Sequence, residues 1–319
     1  MNSNNDNIKV IIRIRPTKDS FHQKSLAKLD DTNLQIVTDK RELKNFTYDY
    51  IADEDSDQAL IFDKGGKEIC DYVLQGYNGT IFVYGQTGAG KTYTLLGPRY
   101  SNDSEEKKLY SFSDDGILPR VINYLFDQLN NEVGSDVSVY ITFLEIYNEV
   151  LSDLLDPNTS KNVNIREDEK NKQMIVENIT KIKINCANEG LKHLLKGSKN
   201  RHVAPTNMNK ESSRSHAVFS IYIEIKSKLD EKIKIVKSVF HLIDLAGSER
   251  QKMTETVGNR TKEAGSINKS LMNLGSVINA IIVNNNEGKK NYIHFRDSKL
   301  TFLLKDSLGG NAKVNKPLI

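Results

Sequence analysis

Short runs of β-branched and apolar residues alternate along this chain with segments whose apolar residues recur at helical spacing. The runs that predict strands are residues 8–15, 80–84, 138–146, 217–226 and 237–245. Residues 35–50 suggest a small hairpin region, and residues 57–72 have the periodicity of a helix. Strands that alternate with helices predict an α/β fold, in which a sheet lies between layers of helices.

The last third of the chain predicts helices. Apolar residues step by four and three positions, which places them on one helical face. The residues of the two faces are Ile267, Leu271, Leu274, Ile278 and Ile281, then Leu300, Leu303, Leu304 and Leu308. We expect one helix over 263–283 and a second over 300–308, which Gly309 and Gly310 should end.

Composition is typical of a folded domain. Of the 319 residues, 38% are hydrophobic and 27% are charged. This length fits one large α/β domain. No apolar run approaches the roughly 18 residues that a membrane span needs, and the polar opening segment lacks the zones of a signal peptide. We therefore expect a disordered polar tail over 1–7, one domain over 8–319 and no membrane span.

Charge and cysteine content narrow the partners and the compartment. The net charge of +3 is too small to indicate nucleic-acid binding, so an acidic partner would have to meet a local basic patch. The two cysteines, Cys70 and Cys186, have no ligand spacing around them. This pattern indicates a reducing, cytoplasmic compartment without a disulfide framework or a zinc site.

A complete phosphate-binding motif, GQTGAGKT, occupies residues 85–92. Gly85, Gly88 and Gly90 allow backbone N–H groups to wrap phosphate oxygens without Cβ clashes. Lys91 would bring a positive charge to the β- and γ-phosphates, and the Thr92 hydroxyl would ligate Mg²⁺. A flexible glycine turn is the alternative, but the position between an apolar strand and a helix favours a nucleotide site.

Two further polar segments have the chemistry of a phosphate site. Asp244 ends an apolar strand three residues before Gly247, which suits a carboxylate near Mg²⁺ and an N–H near a γ-phosphate. A capping Asp is the alternative. Residues 209–216, NKESSRSH, combine hydroxyls, an arginine and a histidine. Serine runs are usually turns, but the position between the other two motifs favours a loop that senses the γ-phosphate.

Six blocks of this sequence resemble the kinesin motor domain. They are RIRP at 13–16, GYNGTIFVYGQTGAGKT at 76–92, NKESSRSH at 209–216, DLAGSER at 244–250, SINKSLMNLGSVINAI at 266–281 and FRDSKLTFLLKDSLGGN at 295–311. The resemblance implies a P-loop NTPase-type motor domain with a central, mostly parallel or mixed sheet and helices on both faces. The QK after SER, and GPR at 97–99, resemble the kinesin-twelve class.

The resemblance also implies which residues hold the nucleotide. Those for the base and the ribose would be Arg13, Arg15, Pro16 and Tyr93. Those for the phosphates would be Gly85, Gln86, Thr87, Gly88, Ala89, Gly90, Lys91 and Thr92. Mg²⁺ would be held by Thr92, Ser213 and Asp244, with a water molecule between Asp244 and the ion.

Four residues take catalytic roles by the same resemblance. Ser212 would hold the lytic water, and the Gly247 N–H would face the γ-phosphate. Arg214 and Glu249 would close as an ion pair when the γ-phosphate is present, and Glu249 would relay a proton from the attacking water through a second water. An ordinary surface salt bridge, worth under about 1 kcal/mol, is the alternative for this pair.

An acidic microtubule surface calls for cations on a rigid helix face. Solvated helix faces are the ordinary explanation of such cations. The resemblance to filament-contacting helices of the family favours contact for Lys269, Arg296 and Lys299. It leaves both explanations open for the remaining cations of this region, which are Lys262, Lys289, Lys290 and Lys305.

The sequence departs from the family after residue 313. Kinesins continue into a strand inside the sheet, a final helix and a neck linker, whereas VNKPLI follows here. Pro317 makes residues 314–319 a poor ladder strand. We therefore expect the C-terminal strand and helix to be missing. The resulting gap in the sheet would leave unpaired backbone groups that cost roughly 1–3 kcal/mol each.

Together these patterns predict an ATPase that uses ATP and Mg²⁺ as cofactors. Hydrolysis would be coupled to binding of microtubules (tubulin) and to movement along them. The predicted location is the microtubule cytoskeleton, the mitotic spindle included. The alternative is a non-motile, nucleotide-sensing microtubule binder, which the expected gap would favour. A guanine-nucleotide switch is disfavoured because no N-K-x-D motif occurs. This segment contains no element that predicts oligomerisation.

Overall fold

The computed structural model describes residues 8–16, 26–38, 40–101, 112–132, 134–159, 161–168, 173–203, 212–229, 232–249, 259–287, 291–309 and 312–318. The predicted tail over 1–7 lies outside the described residues, as do Lys289 and Lys290. For Lys262 and for Ser212 the backbone alone is described.

Fourteen strands form within the described residues. They are β1 (Ile8–Arg13), β2 (Leu26–Lys28), β3 (Asn33–Val37), β4 (Leu43–Thr47), β5 (Tyr50–Ala52), β6 (Asn78–Val83), β7 (Ser135–Tyr147), β8 (Val150–Asp153), β9 (Asn164–Asp168), β10 (Gln173–Glu177), β11 (Ile182–Ile184), β12 (His216–Leu229), β13 (Lys232–Asp244) and β14 (Ala312–Leu318). The five predicted strands correspond to β1, β6, β7, β12 and β13, and the predicted hairpin region forms β3 and β4.

The same described residues contain nine α-helices. They are α1 (Gln58–Gly65), α2 (Lys67–Leu74), α3 (Lys91–Leu96), α4 (Pro98–Ser101), α5 (Ile117–Leu129), α6 (Ala187–Val203), α7 (Asn259–Glu287), α8 (Lys299–Leu303) and α9 (Lys305–Gly309). Single 3₁₀ turns occur at Phe112–Asp114, Ser212–Arg214 and Phe295–Asp297. None of these helices has the length and apolar character that a membrane crossing requires.

The main sheet has nine strands and is mixed, which confirms the prediction. Its order is β11-β7-β12-β13-β6-β14-β1-β5, with β8 paired to β7. The neighbours from β13 to β5 are parallel, whereas β11, β7, β8 and β12 pair antiparallel. Two small antiparallel sheets, β2-β3-β4 and β9-β10, are separate from it.

Helices cover both faces of the main sheet because successive strand residues point to opposite sides. Phe219 and Leu242 pack on one side, in a core shared with α1, α2, α3, α5 and α6. Their chain neighbours Val218 and Ile243 pack on the other side, against α7, α8 and α9. The chain therefore forms the predicted three-layer arrangement, with a separate apolar core on each face of the sheet.

The helix predicted over 57–72 is divided into α1 and α2 at Gly66. The Asp57 carboxylate accepts a hydrogen bond from the Leu60 N–H at 2.7 Å, which caps the start of α1. At Gly66 an added Cβ would lie 2.6 Å from the Phe62 ring. The glycine thus allows the two short helices to join closely while each keeps its buried face.

The C-terminal helical region differs from its prediction at one residue. The predicted helix over 300–308 is wrong as a single helix, because Leu304 has a ψ of 5° and separates α8 from α9. Ser298 begins α8 by accepting the Thr301 N–H. Leu300, Leu304 and Leu308 are nevertheless all buried. Hydrophobic spacing therefore predicted the buried face correctly and gave no sign of the backbone break.

The expected gap in the sheet is not present, and that prediction is wrong. Strand β14 lies between β6 and β1 and is parallel to both. Its register places Val314 beside Thr80 on one side and beside Ile8 on the other. The segment that we expected to be a poor strand therefore supplies the internal strand.

The position of Pro317 explains why a proline is tolerated here. Pairing with β6 ends at Asn315, whereas pairing with β1 continues through Leu318. Pro317 thus falls where β14 has a described neighbour on one side only, and a missing N–H is tolerated at such a strand end. Propensity alone could not show this, since it does not specify which neighbours each residue has.

A second proline in the doubly paired part of β14 should be costly. Asn315→Pro removes a ladder N–H between two strands, so we expect it to lower the free energy of unfolding by at least about 2 kcal/mol. The matched control Pro317→Ala should change it by less than about 1 kcal/mol. A thermal melt followed by circular dichroism measures both, and equal midpoints for the two variants would contradict the position of β14.

Candidate functional site

The phosphate-binding motif joins the end of β6 to the start of α3. The next strand in the sheet, β13, is parallel to β6 and places Asp244 beside Val83. Both strands therefore end at the same edge, and the segments that follow them meet there. Gly88 and Gly90 have φ values of 81° and 103°, which disfavour residues with a Cβ. The loop conformation thus depends on the glycines of the motif.

Lys91, the first residue of α3, bonds back to this loop. Its ammonium Nζ donates to the carbonyl oxygens of Gly85 and Gln86, each at 3.0 Å. Burial lowers the pKa of Lys91, while the nearby charges of Asp244 and Glu249 oppose that shift. The loop therefore surrounds a buried cation, as a site for an anionic ligand requires.

Asp244 connects the second motif to the first. Its Oδ2 accepts hydrogen bonds from the Thr92 hydroxyl and from Arg201 Nη1, each at 2.8 Å. Its Oδ1 is buried and has no hydrogen-bond partner among the described residues. A hydroxyl beside an unsatisfied carboxylate oxygen is a donor set that suits a hard cation such as Mg²⁺. The residues present therefore fit the predicted Mg²⁺ site.

Arg201 and Glu145 belong to this site, and the sequence analysis missed both. The side chains of Arg201 and Asp244 are each 4% exposed and form a salt bridge. Arg201 also donates to the Ser215 carbonyl at 3.0 Å, and its Nε lies 4.0 Å from Glu145 Oε1. No local motif marks either residue, because each enters the site from a different strand or helix. The buried arginine fixes the orientation of the Asp244 carboxylate.

Glu249 folds back onto the phosphate loop. Its two carboxylate oxygens accept hydrogen bonds from the Thr87 N–H, at 2.8 Å, and from the Thr87 hydroxyl. Burial opposes ionisation of this carboxyl, but the hydrogen bonds from Thr87 and from the backbone N–H of Glu249, together with the charge of Lys91, lower the pKa of Glu249. In this structure Thr87 bonds to both carboxylate oxygens of Glu249. The ion pair of Glu249 with Arg214 stays a prediction for the nucleotide-bound site.

Backbone contacts link the three motifs to one another. The Gly247 N–H donates to the Ser213 carbonyl at 2.8 Å, and the Ser248 N–H donates to the Gly85 carbonyl at 3.1 Å. A Cβ added at Gly247 would overlap the Glu249 carboxylate and the Thr87 hydroxyl. Ser212, Ser213 and Arg214 form a 3₁₀ turn at this point. The segments after β6, before β12 and after β13 therefore form one connected unit.

A cavity of about 660 Å³ opens beside these contacts. Its lining includes most of the predicted nucleotide-binding residues, namely Arg13, Arg15, Pro16, Thr87, Gly88, Ala89, Gly90, Lys91, Thr92, Tyr93, Ser213 and Asp244. Tyr93 is 43% exposed, which leaves a ring face available to a planar ligand. The cavity has the size of a small-molecule site, and its mainly apolar surface with a few convergent polar groups is typical of such sites.

Arg13 lines the cavity and also bonds to neighbouring protein groups. Its guanidinium donates to Gln58 Oε1 and Thr94 Oγ1, at 2.8 and 2.9 Å, and lies 5.3 Å from the centre of the Tyr93 ring. Gln58, which the sequence analysis missed, donates to the Tyr93 carbonyl at 2.8 Å. Arg13 thus contacts the helix that carries Tyr93 through Thr94, and its predicted contact with the nucleotide stays a prediction.

Comparison with known proteins agrees with this geometry. A family model described as the kinesin motor domain matches residues 6–315, which include every residue of the cavity. The chain belongs to the kinesin motor-domain family. A solved structure of a fast kinesin superposes with a TM-score of 0.83 at 36% identity, over 98% of this chain and 84% of the other.

Relatives of this kinesin motor domain include the kinesin-like proteins KIF15 of Homo sapiens, at 44% identity, and of Strongylocentrotus purpuratus, at 46%. KIN-12F of Oryza sativa subsp. japonica is 41% identical. These comparisons cover 97%, 98% and 97% of this chain, but 22%, 21% and 11% of the relatives. The chain thus spans about a fifth of the animal relatives. The name KIN-12F agrees with the predicted kinesin-twelve resemblance.

The predicted filament-facing cations of this kinesin motor domain occupy different environments. Lys269 is exposed on α7. Arg296 is exposed, 3.5 Å from Glu167 Oε2, and lies over the Phe302 ring. The bond from Lys305 lowers the pKa of Glu167 most, with Arg296 adding to it. Glu167, a residue of the β9–β10 sheet that the sequence analysis missed, therefore holds two of the cations.

Lys299, the third of the favoured cations, is half-buried at the first residue of α8. Its backbone N–H donates to Glu149 Oε2 at 2.7 Å. Glu149 has a φ of 61°, in the left-handed region that non-glycine residues seldom adopt. The turn between β7 and β8 thus fixes the start of α8, and with it the place of Lys299.

Adding one methyl group at Gly247 should separate binding from turnover. Gly247→Ala places a Cβ against the Glu249 carboxylate and the Thr87 hydroxyl and should displace the N–H predicted to face the γ-phosphate, so we expect phosphate release from ATP to fall at least about 100-fold. The Kd for a fluorescent nucleotide should stay within about threefold, because the Lys91 loop is unchanged.

The matched control is Gly275→Ala on α7, where nothing lies within 4 Å of an added Cβ. This variant should keep wild-type phosphate release. A Gly247→Ala variant with more than half the wild-type rate would show that the close approach of the two segments is not required.

Proposed function

We propose that this chain is the ATP-hydrolysing, microtubule-binding motor domain of a longer kinesin. The observation that carries the proposal is the meeting of Lys91, Thr92 and Asp244 at one cavity, with Glu249 bonded to Thr87 of the same lining, although these residues come from segments more than 150 residues apart. A flexible glycine turn, the alternative for the phosphate motif, would not require these contacts. The solved fast kinesin, whose study concerns ATPase mechanism and interactions with microtubules, has the same fold.

Binding of ATP would use contacts that the protein already makes with itself. Lys91 would exchange the carbonyls of Gly85 and Gln86 for phosphate oxygens, which are stronger acceptors because they are charged. The base would stack on Tyr93, near Arg15 and Pro16, at a gain of about 1 kcal/mol. An adenine fits this account, since the sequence contains no N-K-x-D motif for guanine.

The chain's ligands for Mg²⁺ would be Thr92, Ser213 and Asp244. When bound, the ion would neutralise phosphate charge and orient the γ-phosphate. Arg201 helps to keep the Asp244 carboxylate in place, because it bonds to the same oxygen, Oδ2, as Thr92. The unsatisfied Asp244 oxygen supports a contact through water.

Hydrolysis would need Glu249 to leave Thr87. A glutamate carboxylate is ionised near neutral pH, so Glu249 can accept a proton relayed from the attacking water once it has left Thr87. Ser212 would hold that water, and Arg214 would pair with Glu249 in the closed state. Gly247 permits the exchange because its missing side chain leaves room beside Glu249. The contact with Thr87 would thus act as a latch that opens when the γ-phosphate arrives.

Microtubule binding would use the exposed side of α7 and the region around α8. Lys269 and Arg296 are exposed cations there. Lys299 is half-buried at the start of α8, shortly after Arg296 in the sequence. An acidic filament surface would attract such charges and would compete with Glu167 for Arg296. We place the protein on cytoplasmic microtubules, the spindle included, and assign movement to the longer protein.

The alternative function, a non-motile nucleotide-sensing module, rested on an incomplete sheet. Strand β14 fills that position between β6 and β1. The strands that carry Arg13 and the phosphate loop therefore both have the lateral partner that their positions require. Because the sheet has its internal strand, the complete set of phosphate-site residues favours the active ATPase.

Removing the Glu249 carboxylate should nearly abolish turnover and spare nucleotide binding. For Glu249→Ala we expect steady-state phosphate release to fall at least about 100-fold, the usual contribution of an acid–base group. The matched control is Glu177→Ala, since Glu177 forms a surface pair with Arg166 away from the cavity. If Glu249→Ala retains half of the wild-type rate, the proposed proton relay is wrong.

Neutralising the favoured cations should weaken filament binding. We expect Lys269→Ala, Arg296→Ala and Lys299→Ala together to raise the Kd for microtubule co-sedimentation at least about tenfold at low salt. The dependence of Kd on salt should also flatten, because fewer charges contact the filament.

A variant with the opposite expected effect is Glu167→Gln, which frees Arg296 and Lys305 from their carboxylate partner. It should tighten binding about two- to fivefold. Glu177→Gln, on the same small sheet, should have no effect. An unchanged Kd for the triple variant at low salt would show that this face does not meet the filament.

A further inference from the structure

His216 occupies a buried position where three functional segments meet. It is the first residue of β12, directly after the Ser212–Arg214 turn and Ser215. Its Nδ1 accepts the Ala246 N–H at 3.0 Å, and its Nε2 lies 2.8 Å from the Ser270 hydroxyl oxygen of α7. One imidazole therefore bonds both to the segment after β13 and to the helix that carries Lys269.

The bonding pattern fixes the form of the ring. A nitrogen that accepts a hydrogen bond carries no proton, so the proton of the neutral ring is on Nε2 and is donated to Ser270. Burial, with the charges of Arg201 and Lys91 added, lowers the pKa of His216 to about 3. The ring thus stays neutral and keeps one acceptor and one donor in opposite directions.

Both partners of the ring lie beside functional residues. The Ala246 N–H donates to His216, and the next N–H, that of Gly247, donates to the Ser213 carbonyl. Two consecutive N–H groups after β13 therefore bond to the segment that begins β12. Ser270 follows Lys269 in α7. A displacement of Gly247 toward a phosphate would therefore pull on the ring, and through Nε2 on α7.

A histidine that merely satisfies a buried position has a different arrangement, which this chain also shows. His241 is buried in β13, and its Nδ1 lies 2.8 Å from the hydroxyl of Ser220 on the neighbouring strand β12. Burial lowers the pKa of His241 to about 4. That pair joins two strands of one sheet and reaches neither a phosphate loop nor α7.

We propose that His216 is a positioning residue that couples the segment after β13 to α7, so that the nucleotide state and filament binding act on each other through this one ring. The inference rests on the proposed function and adds a residue through which its two halves communicate. Residues that share one hydrogen-bond network show coupled, non-additive effects when they are changed.

The test compares variants of the full 319-residue chain by phosphate release with and without microtubules. Ser270→Ala removes the contact to α7. His216→Asn keeps an acceptor near Ala246 and also loses the reach to α7. Each should lower the ratio of filament-stimulated to basal turnover at least about fivefold. The double variant should lose no more than the larger single effect.

Two controls separate coupling from stability. Ser220→Ala breaks the buried pair with His241 and should keep the wild-type ratio despite a lower melting temperature. Ser270→Thr retains the hydroxyl and should restore the ratio. The nucleotide dependence of filament affinity, measured as the ratio of co-sedimentation Kd values with ADP and with a non-hydrolysable ATP analogue, should shrink in Ser270→Ala and in His216→Asn. It should stay unchanged in Ser220→Ala and Ser270→Thr.

The outcomes distinguish the inference from the proposed function. If Ser270→Ala and His216→Asn keep ratios within twofold of Ser220→Ala, or if their effects multiply in the double variant, the inference is overturned and the proposed function stands. A wild-type chain that microtubules do not stimulate would overturn the proposed function and the inference with it.

Discussion

The parallel pairing of β6 with β13 is the constraint on which the rest of the structure depends. It places Val83 beside Asp244, so the segments that follow the two strands leave the sheet at the same edge. Thr92 then reaches Asp244 at 2.8 Å, and Ser248 reaches Gly85 at 3.1 Å. The carboxyl edge of parallel strands is a general position for ligands in open α/β sheets. Strand β14 secures the other side of β6 and so completes this frame.

The site at that edge is held closed by its own polar groups. Lys91 bonds to loop carbonyls, Thr92 bonds to Asp244, and Glu249 bonds to Thr87. Each contact joins a charged group to the partner that a nucleotide would displace. Lys91 and Asp244 are buried, and a buried charge without a partner costs several kcal/mol, so the contacts of these two residues stabilise the site until a ligand supplies replacements. The same exchange would transmit the presence of a γ-phosphate to the segments on both sides of the sheet.

The parts that the sequence predicted are those determined within a few neighbouring residues. The phosphate motif requires its glycines for backbone reasons, and hydrophobic spacing marks the buried faces of strands and helices. Arg201 and Gln58 were missed because each acts through contacts with distant segments and has no local motif. The prediction for β14 failed because Pro317 was judged by propensity, whereas its tolerance depends on where pairing with β6 ends. The single helix over 300–308 was wrong for a related reason, because apolar spacing does not reveal that one residue, Leu304, has a non-helical ψ.

A crystal structure of this chain with Mg²⁺ and a non-hydrolysable ATP analogue would test the central claim most directly. The account predicts that the analogue lies in the cavity beside Tyr93 and that Lys91 and Thr92 exchange their protein partners for the ligand and the ion. It also predicts that Glu249 separates from Thr87. A bound analogue with all three internal contacts retained, or an analogue bound elsewhere, would contradict the account.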